Sequence, residues 1–164
     1  NYGVSLPKLS DIQWGNAEYF GWVLAVTSVG SLVGALATAR LHLTTYTWVA
    51  GAALMLGVAN VGMAIAPNVW VAFVWAIPLG AGGAAMIAGA NSIITQEAPP
   101  EMRGRMLALT AVAFLGSTPI GGPITGLVAD YVSVPWSLAY GGIITLLAAA
   151  YMFGWIWVKD IEHA

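Results

Sequence analysis

Residues 97–130 read EAPPEMRGRMLALTAVAFLGSTPIGGPITGLVAD. A short charged stretch, Pro99-Pro100-Glu101-Met102-Arg103-Gly104-Arg105, is followed at once by a long uncharged run rich in Gly, Pro and small side chains. Lys and Arg collect at the ends of membrane-crossing helices, on the cytoplasmic side above all. The join therefore reads as a basic hairpin at a membrane surface that feeds a lipid-embedded helix.

The composition agrees. Of 164 residues, 59% are hydrophobic and only 7% charged, against about 25% charged in a soluble domain. A chain this apolar cannot cover its surface with polar groups, so lipid must be its solvent. There is no cysteine, hence no disulfide and no thiolate metal site. The two histidines, His42 and His163, are far apart and make a poor metal pair. No cofactor, metal or nucleic-acid partner is expected, and no secretory leader is recognisable at the start of the sequence.

A helix needs about 20 apolar residues to cross the hydrocarbon core. Residues 19–39 carry no charge, residues 41–96 carry none over a length that fits two crossings, and 106–129 and 131–158 are further uncharged runs. Pro67-Asn68 divides the long one, since such pairs punctuate helices. The sequence thus predicts an all-α, polytopic transmembrane bundle with five full spans at about 20–39, 47–66, 69–94, 106–129 and 137–158. Five spans put Arg40, Arg103, Arg105 and Lys159 on one face and Lys8 on the other, which makes the first face, with the C-terminus, cytoplasmic. Residues 1–19 then form the extracytoplasmic end of a truncated helix plus its loop, or a tail lying on the surface, and 20–164 the helical domain proper.

Helices in lipid associate through small residues and a few polar contacts. Thr27, Ser31, Gly34 and Thr38 make one stripe, and Gly30-xxx-Gly34 is a close-approach motif. Gly122-xxx-Gly126 follows Pro119 in the fourth span, where Pro119 and Pro123 each remove a helix hydrogen bond and Gly121 eases bending. Polar groups at membrane depth need partners or water. Thr27, Ser31, Asn91 and Thr118 are candidates for a substrate cavity, with helix–helix hydrogen bonding as the competing role. Glu97, Glu101, Arg103 and Arg105 are either positive-inside anchoring with its counter-charges or a cytoplasmic gate whose ion pairs form in one conformation and break in another. No ionisable residue lies deep in a span, so these spans cannot supply a proton relay. They also hold no nucleophile–base pair or carboxylate pair, which argues against an enzyme.

Residues 90–96, Pro99-Pro100, Arg103-Gly104-Arg105, Leu109 and 114–123 (FLGSTPIGGP) resemble the tenth helix, cytoplasmic loop and eleventh helix of a major facilitator superfamily transporter. The likeness is to the bacterial enterobactin-exporter-like branch of drug and siderophore exporters. Gly21, Gly30, Gly34 and Ala35 resemble that family's eighth helix, although Arg40 stands there without the family's acidic partner. The resemblance implies the C-terminal half of a proton-driven, alternating-access exporter of small hydrophobic or amphipathic compounds in the bacterial inner membrane. Its partners would be the bilayer, the cargo, and an N-terminal half or second copy. The alternative is a non-transporting membrane subunit that scaffolds a complex.

Overall fold

A computed structural model describes residues 6, 7, 10, 14 and 18–162, the side chains of 118, 130 and 160–162 excepted. The described residues form five long helices: α1 (Glu18–Ala39), α2 (Tyr46–Ala64), α3 (Val69–Glu97), α4 (Arg103–Tyr131) and α5 (Val134–Glu162). All five are long and apolar enough to cross a membrane. In lipid the helix satisfies its own backbone polar groups, so uncharged runs of this length have no better conformation.

The boundaries differ from the expected spans in an informative way. The run expected at 106–129 starts at Arg103, so both hairpin arginines lie in the first helical turn rather than in a loop. Glu101 falls just outside it, before Met102, which caps the helix without a side-chain hydrogen bond. Basic residues there oppose the helix dipole. The third span runs on to Glu97 and the fifth covers 134–162 instead of 137–158. The second stops at Ala64, capped by Ile65, ahead of Pro67. Thr45 and Asn68 cap α2 and α3 by accepting from the N–H groups of Trp48 and Val71, the role short polar side chains perform at helix starts. The helices α3, α4 and α5 each have 29 residues, about 43 Å at 1.5 Å per residue. That exceeds the hydrocarbon core of about 30 Å, so their ends reach the headgroup layer.

Three seams hold the bundle. The helix α1 packs on α3, α2 packs on both α3 and α5, and α4 touches α3 and α5 lightly. The α1–α3 seam is the Gly30-xxx-Gly34 motif at work. A Cβ on Gly30 would collide with the carbonyl of Ile77, one on Gly34 with that of Ala81, and one on Gly80 with that of Thr27. Backbones this close are possible only without side chains, and close approach is what drives association where lipid tails are as apolar as leucine. The α2–α5 seam works likewise, with Gly142 against Asn60 and Gly57.

No such contact forms on α4. Nothing lies within 4 Å of a Cβ added at Gly104, Gly116, Gly122 or Gly126. The second small-residue motif therefore meets no neighbour among the described residues. Only Thr125 and Ala129 of α4's described side chains are buried. The helix continues unbroken through Pro119 and Pro123. Residues 1–19 lie largely outside the described residues. Of them, Leu6 and Ser10 are fully buried, with Leu6 in the same apolar cluster as Val23, Met63 and Leu79.

Candidate functional site

The thin contact between α3 and α4 leaves a cavity of about 600 Å³. On the α3 side Met86, Ile87, Ala90 and Asn91 line it; on the α4 side, Leu107, Thr110, Ala111, Phe114 and Leu115. The spacings are those of a single helix face. The surface is apolar with one amide and one hydroxyl, the usual make-up of a small-molecule site. The Asn91 side-chain amide makes no hydrogen bond among the described residues, whereas its backbone carbonyl accepts from Thr95 at 2.8 Å. The Thr110 hydroxyl donates to the Met106 carbonyl at 3.0 Å. Pro119 has no N–H for the carbonyl of Leu115, four residues earlier, which so lacks its helical donor.

Of the three cavity candidates whose side chains are described, only Asn91 lines this groove. Thr27 and Ser31 sit on the α1–α3 seam and bond back to their own helix, to the carbonyls of Val23 at 2.8 Å and Thr27 at 3.0 Å. The side chain of Thr118 is not described. Thr110, Met86 and Phe114 were missing from the sequence-based set. For Thr110 and Phe114 the signal was available in the repeat Leu107, Thr110, Ala111, Phe114, which places one polar group on an otherwise apolar helix face.

At the end of the bundle bearing Arg40, Arg103, Arg105 and Lys159, hydrogen bonds stitch the helices together. The Trp48 indole donates to Thr38 Oγ1 at 3.1 Å, and Thr38 in turn to the Gly34 carbonyl at 3.0 Å. Thr44 donates to Ser92 at 2.9 Å, and Gln96 to the same hydroxyl oxygen at 2.8 Å. The Tyr46 hydroxyl donates to Glu97 Oε2 at 2.5 Å. Arg103 Nε donates to the carbonyl of Ala98 at 3.1 Å, bracing α4 on the turn before it. Among the described residues neither Arg103 nor Arg105 pairs with Glu97 or Glu101. The four gate candidates share one end of the molecule, but the carboxylate of Glu97 is engaged by α2. Tyr46 is the residue that sequence reading missed here, since 51 positions separate it from Glu97.

At the opposite end Thr125, fully buried, ties α4 to α5. Its hydroxyl lies 2.6 Å from that of Tyr140 and also donates to the Gly121 carbonyl at 2.7 Å. Among the described residues no group of three or more His, Cys, Asp or Glu could hold a metal ion.

Five membrane-length helices joined by short turns, with an amphipathic groove beside a lightly packed helix, define a polytopic helical membrane protein. The sequence matches the family model of the Major Facilitator Superfamily over residues 1–164, and the chain belongs to that family of membrane transporters. No curated protein and no solved structure matches it.

Proposed function

We propose that this chain forms the cargo-binding wall of a secondary exporter, one half of a protein that works by alternating access. The exporter would sit in the bacterial inner membrane with the C-terminus of this chain in the cytoplasm. Its cargo is a small hydrophobic or amphipathic compound, of the drug or siderophore kind, moved in exchange for protons. The observation that carries this reading is the α3–α4 groove, about 600 Å³, apolar, with Asn91 offering an unengaged amide. A cargo of this class gains from burying its apolar surface there and from one or two hydrogen bonds.

The light packing of α4 fits the same reading. A helix held by the Thr125–Tyr140 bond and few other contacts can shift without dismantling the Gly-to-backbone seams of α1, α2 and α3. Secondary transporters rock preserved units about a central site. Glu97, Glu101, Arg103 and Arg105 act in this scheme as the cytoplasmic gate, with Arg103 changing partners as α4 moves. The helix-interior positions of this chain carry no ionisable residue, so the coupling proton binds on the other half of the transporter or near a helix end.

The test is efflux by the full-length transporter in membrane vesicles, across a panel of neutral, cationic and anionic compounds, with the proton gradient intact or collapsed. Accumulation driven by the gradient and lost with it supports the proposal. Transport that is indifferent to the gradient, or no transport of any member, contradicts it.

A further inference from the structure

On the reading of the α3–α4 groove as the cargo site, we propose that it selects a neutral, planar group with a hydrogen-bond donor and an acceptor side by side, the edge that a lactam presents. Asn91 is the residue that reads this edge. Its side-chain amide lines the groove and bonds to none of the described residues. It therefore brings two N–H donors and a carbonyl acceptor to a wall that is otherwise apolar apart from Thr110.

Charge selects first. None of the described residues that line the groove is ionisable. An ion entering it leaves water without gaining a counter-charge from this wall, which costs far more than burying a neutral polar group. Size and shape select next. The volume of about 600 Å³ lies within the usual range of small-molecule sites, about 300–1,000 Å³. Phe114 lines the α4 wall, and an aromatic side chain gives a planar ring a favourable offset or edge contact.

The amide supplies the sharpest selection. In a primary carboxamide such as that of Asn91, one N–H lies on the same side as the carbonyl oxygen, so donor and acceptor point the same way. A lactam has the same arrangement, because its ring holds the amide cis. The two edges then make a reciprocal pair of N–H···O bonds. An open-chain secondary amide is trans, so its donor and acceptor point apart and Asn91 reaches only one of them. Two-point pairing of this kind is how Asn and Gln side chains read adenine. Thr110 fits the same cargo. Its hydroxyl donates to the Met106 carbonyl at 3.0 Å, which leaves its oxygen to accept from a further donor on the ligand. An analogue without the N–H leaves the Asn91 carbonyl buried and unpaired, and it is there that polar sites discriminate most sharply.

The experiment is protection of a single cysteine, Ala111→Cys, from thiol labelling in the purified full-length transporter, with any other cysteine replaced by serine. The probes are quinolin-2-one, its N-methyl derivative and coumarin, the lactone of the same shape, beside one compound that the protein transports. The expected result is half-protection by quinolin-2-one at a concentration about tenfold lower than by either analogue. Asn91→Leu should bring the three probes level. Asn91→Asp keeps the shape of the side chain, so it serves where Asn91→Leu fails to fold. Its ionised carboxylate only accepts, which should turn the preference to protonated 2-aminoquinoline, whose ring N–H and amino group both donate. Equal protection by the three probes, or protection by the transported compound alone, overturns the lactam class and leaves the groove as the cargo site. A preference unchanged in both variants overturns the role of Asn91. Absence of protection by the transported compound as well overturns the cargo site and the lactam class together.

Discussion

The carboxylate of Glu97 accepts a 2.5 Å hydrogen bond from the hydroxyl of Tyr46, and so is committed to α2 rather than to the arginines six and eight positions further along the chain. Arg103 instead donates to the Ala98 carbonyl. The charged hairpin is therefore without its arginine–carboxylate pairs in this conformation, and on the proposed gating scheme those pairs form in another state. Charge-reversing Arg103→Glu should lower efflux by about tenfold, worth about 1.4 kcal/mol of barrier, without reducing the amount of protein inserted in the membrane. Arg103→Lys should fall between the two, since it keeps the charge and loses the Nε donor. Quantitative vesicle transport beside immunoblotting of membranes measures both, and unchanged efflux by Arg103→Glu removes the gate from the account.

The α1–α3 seam gives a prediction about stability. Gly34→Val places its side chain against the Ala81 carbonyl, which cannot move without separating two helices. Overpacking of this kind costs about 1–3 kcal/mol. Gly126→Ala, with nothing within 4 Å, should be neutral or gain up to about 1 kcal/mol of helix propensity. Thermal unfolding in detergent should therefore separate the two variants clearly, with Gly34→Val the lower.

Thr125 and Tyr140 form the polar tie between α4 and α5. Thr125→Val and Tyr140→Phe should each cost about 1 kcal/mol. The double variant should cost less than their sum, because the two residues share one interaction. Hydrogen exchange read along the chain should show faster exchange in α4 in either variant, with α1–α3 unchanged.

Asn91→Leu keeps the bulk of the groove wall and removes its unengaged amide. Thr110→Val removes the hydroxyl opposite. Each should raise the half-saturating cargo concentration, Asn91→Leu by about tenfold, with little change in maximal rate, because a uniformly used binding contact shows in KM. Thr145→Val, whose hydroxyl bonds only to the Gly141 carbonyl of its own helix, should leave transport kinetics unaltered.

Much of this architecture could be read from the chain because the rules of lipid solvent are strict. An uncharged run of sufficient length has to be a helix, and Gly30-xxx-Gly34 has few uses other than close packing, which is where the structure puts it. The boundaries were less readable. Arg103 opens the helix although a basic residue there opposes the helix dipole, so a dipole rule read from the sequence misplaces the helix start. Gly122-xxx-Gly126 has the same spacing as Gly30-xxx-Gly34 yet faces nothing among the described residues. Spacing reports that a close approach is possible, while the partner is a matter of tertiary placement. Thr27 and Ser31 show the same limit: their hydroxyls have an acceptor four residues back, so a polar residue at membrane depth did not have to face a cavity. The Tyr46–Glu97 bond spans two helices and a turn, and no local pattern announces it.

The central claim is that the α3–α4 groove holds the cargo. The chain contains no cysteine, so a single cysteine placed in it is its one thiol, with any cysteine elsewhere in the full-length transporter replaced by serine. Ala111→Cys lies in the groove, and Gly21→Cys stands on the exposed side of α1. The decisive measurement is the rate of thiol labelling at each position in the full-length transporter, with and without a transported compound. The account predicts that saturating cargo slows labelling of Ala111→Cys several-fold and leaves Gly21→Cys unchanged. Equal labelling of Ala111→Cys with and without a compound that the protein demonstrably transports would contradict it.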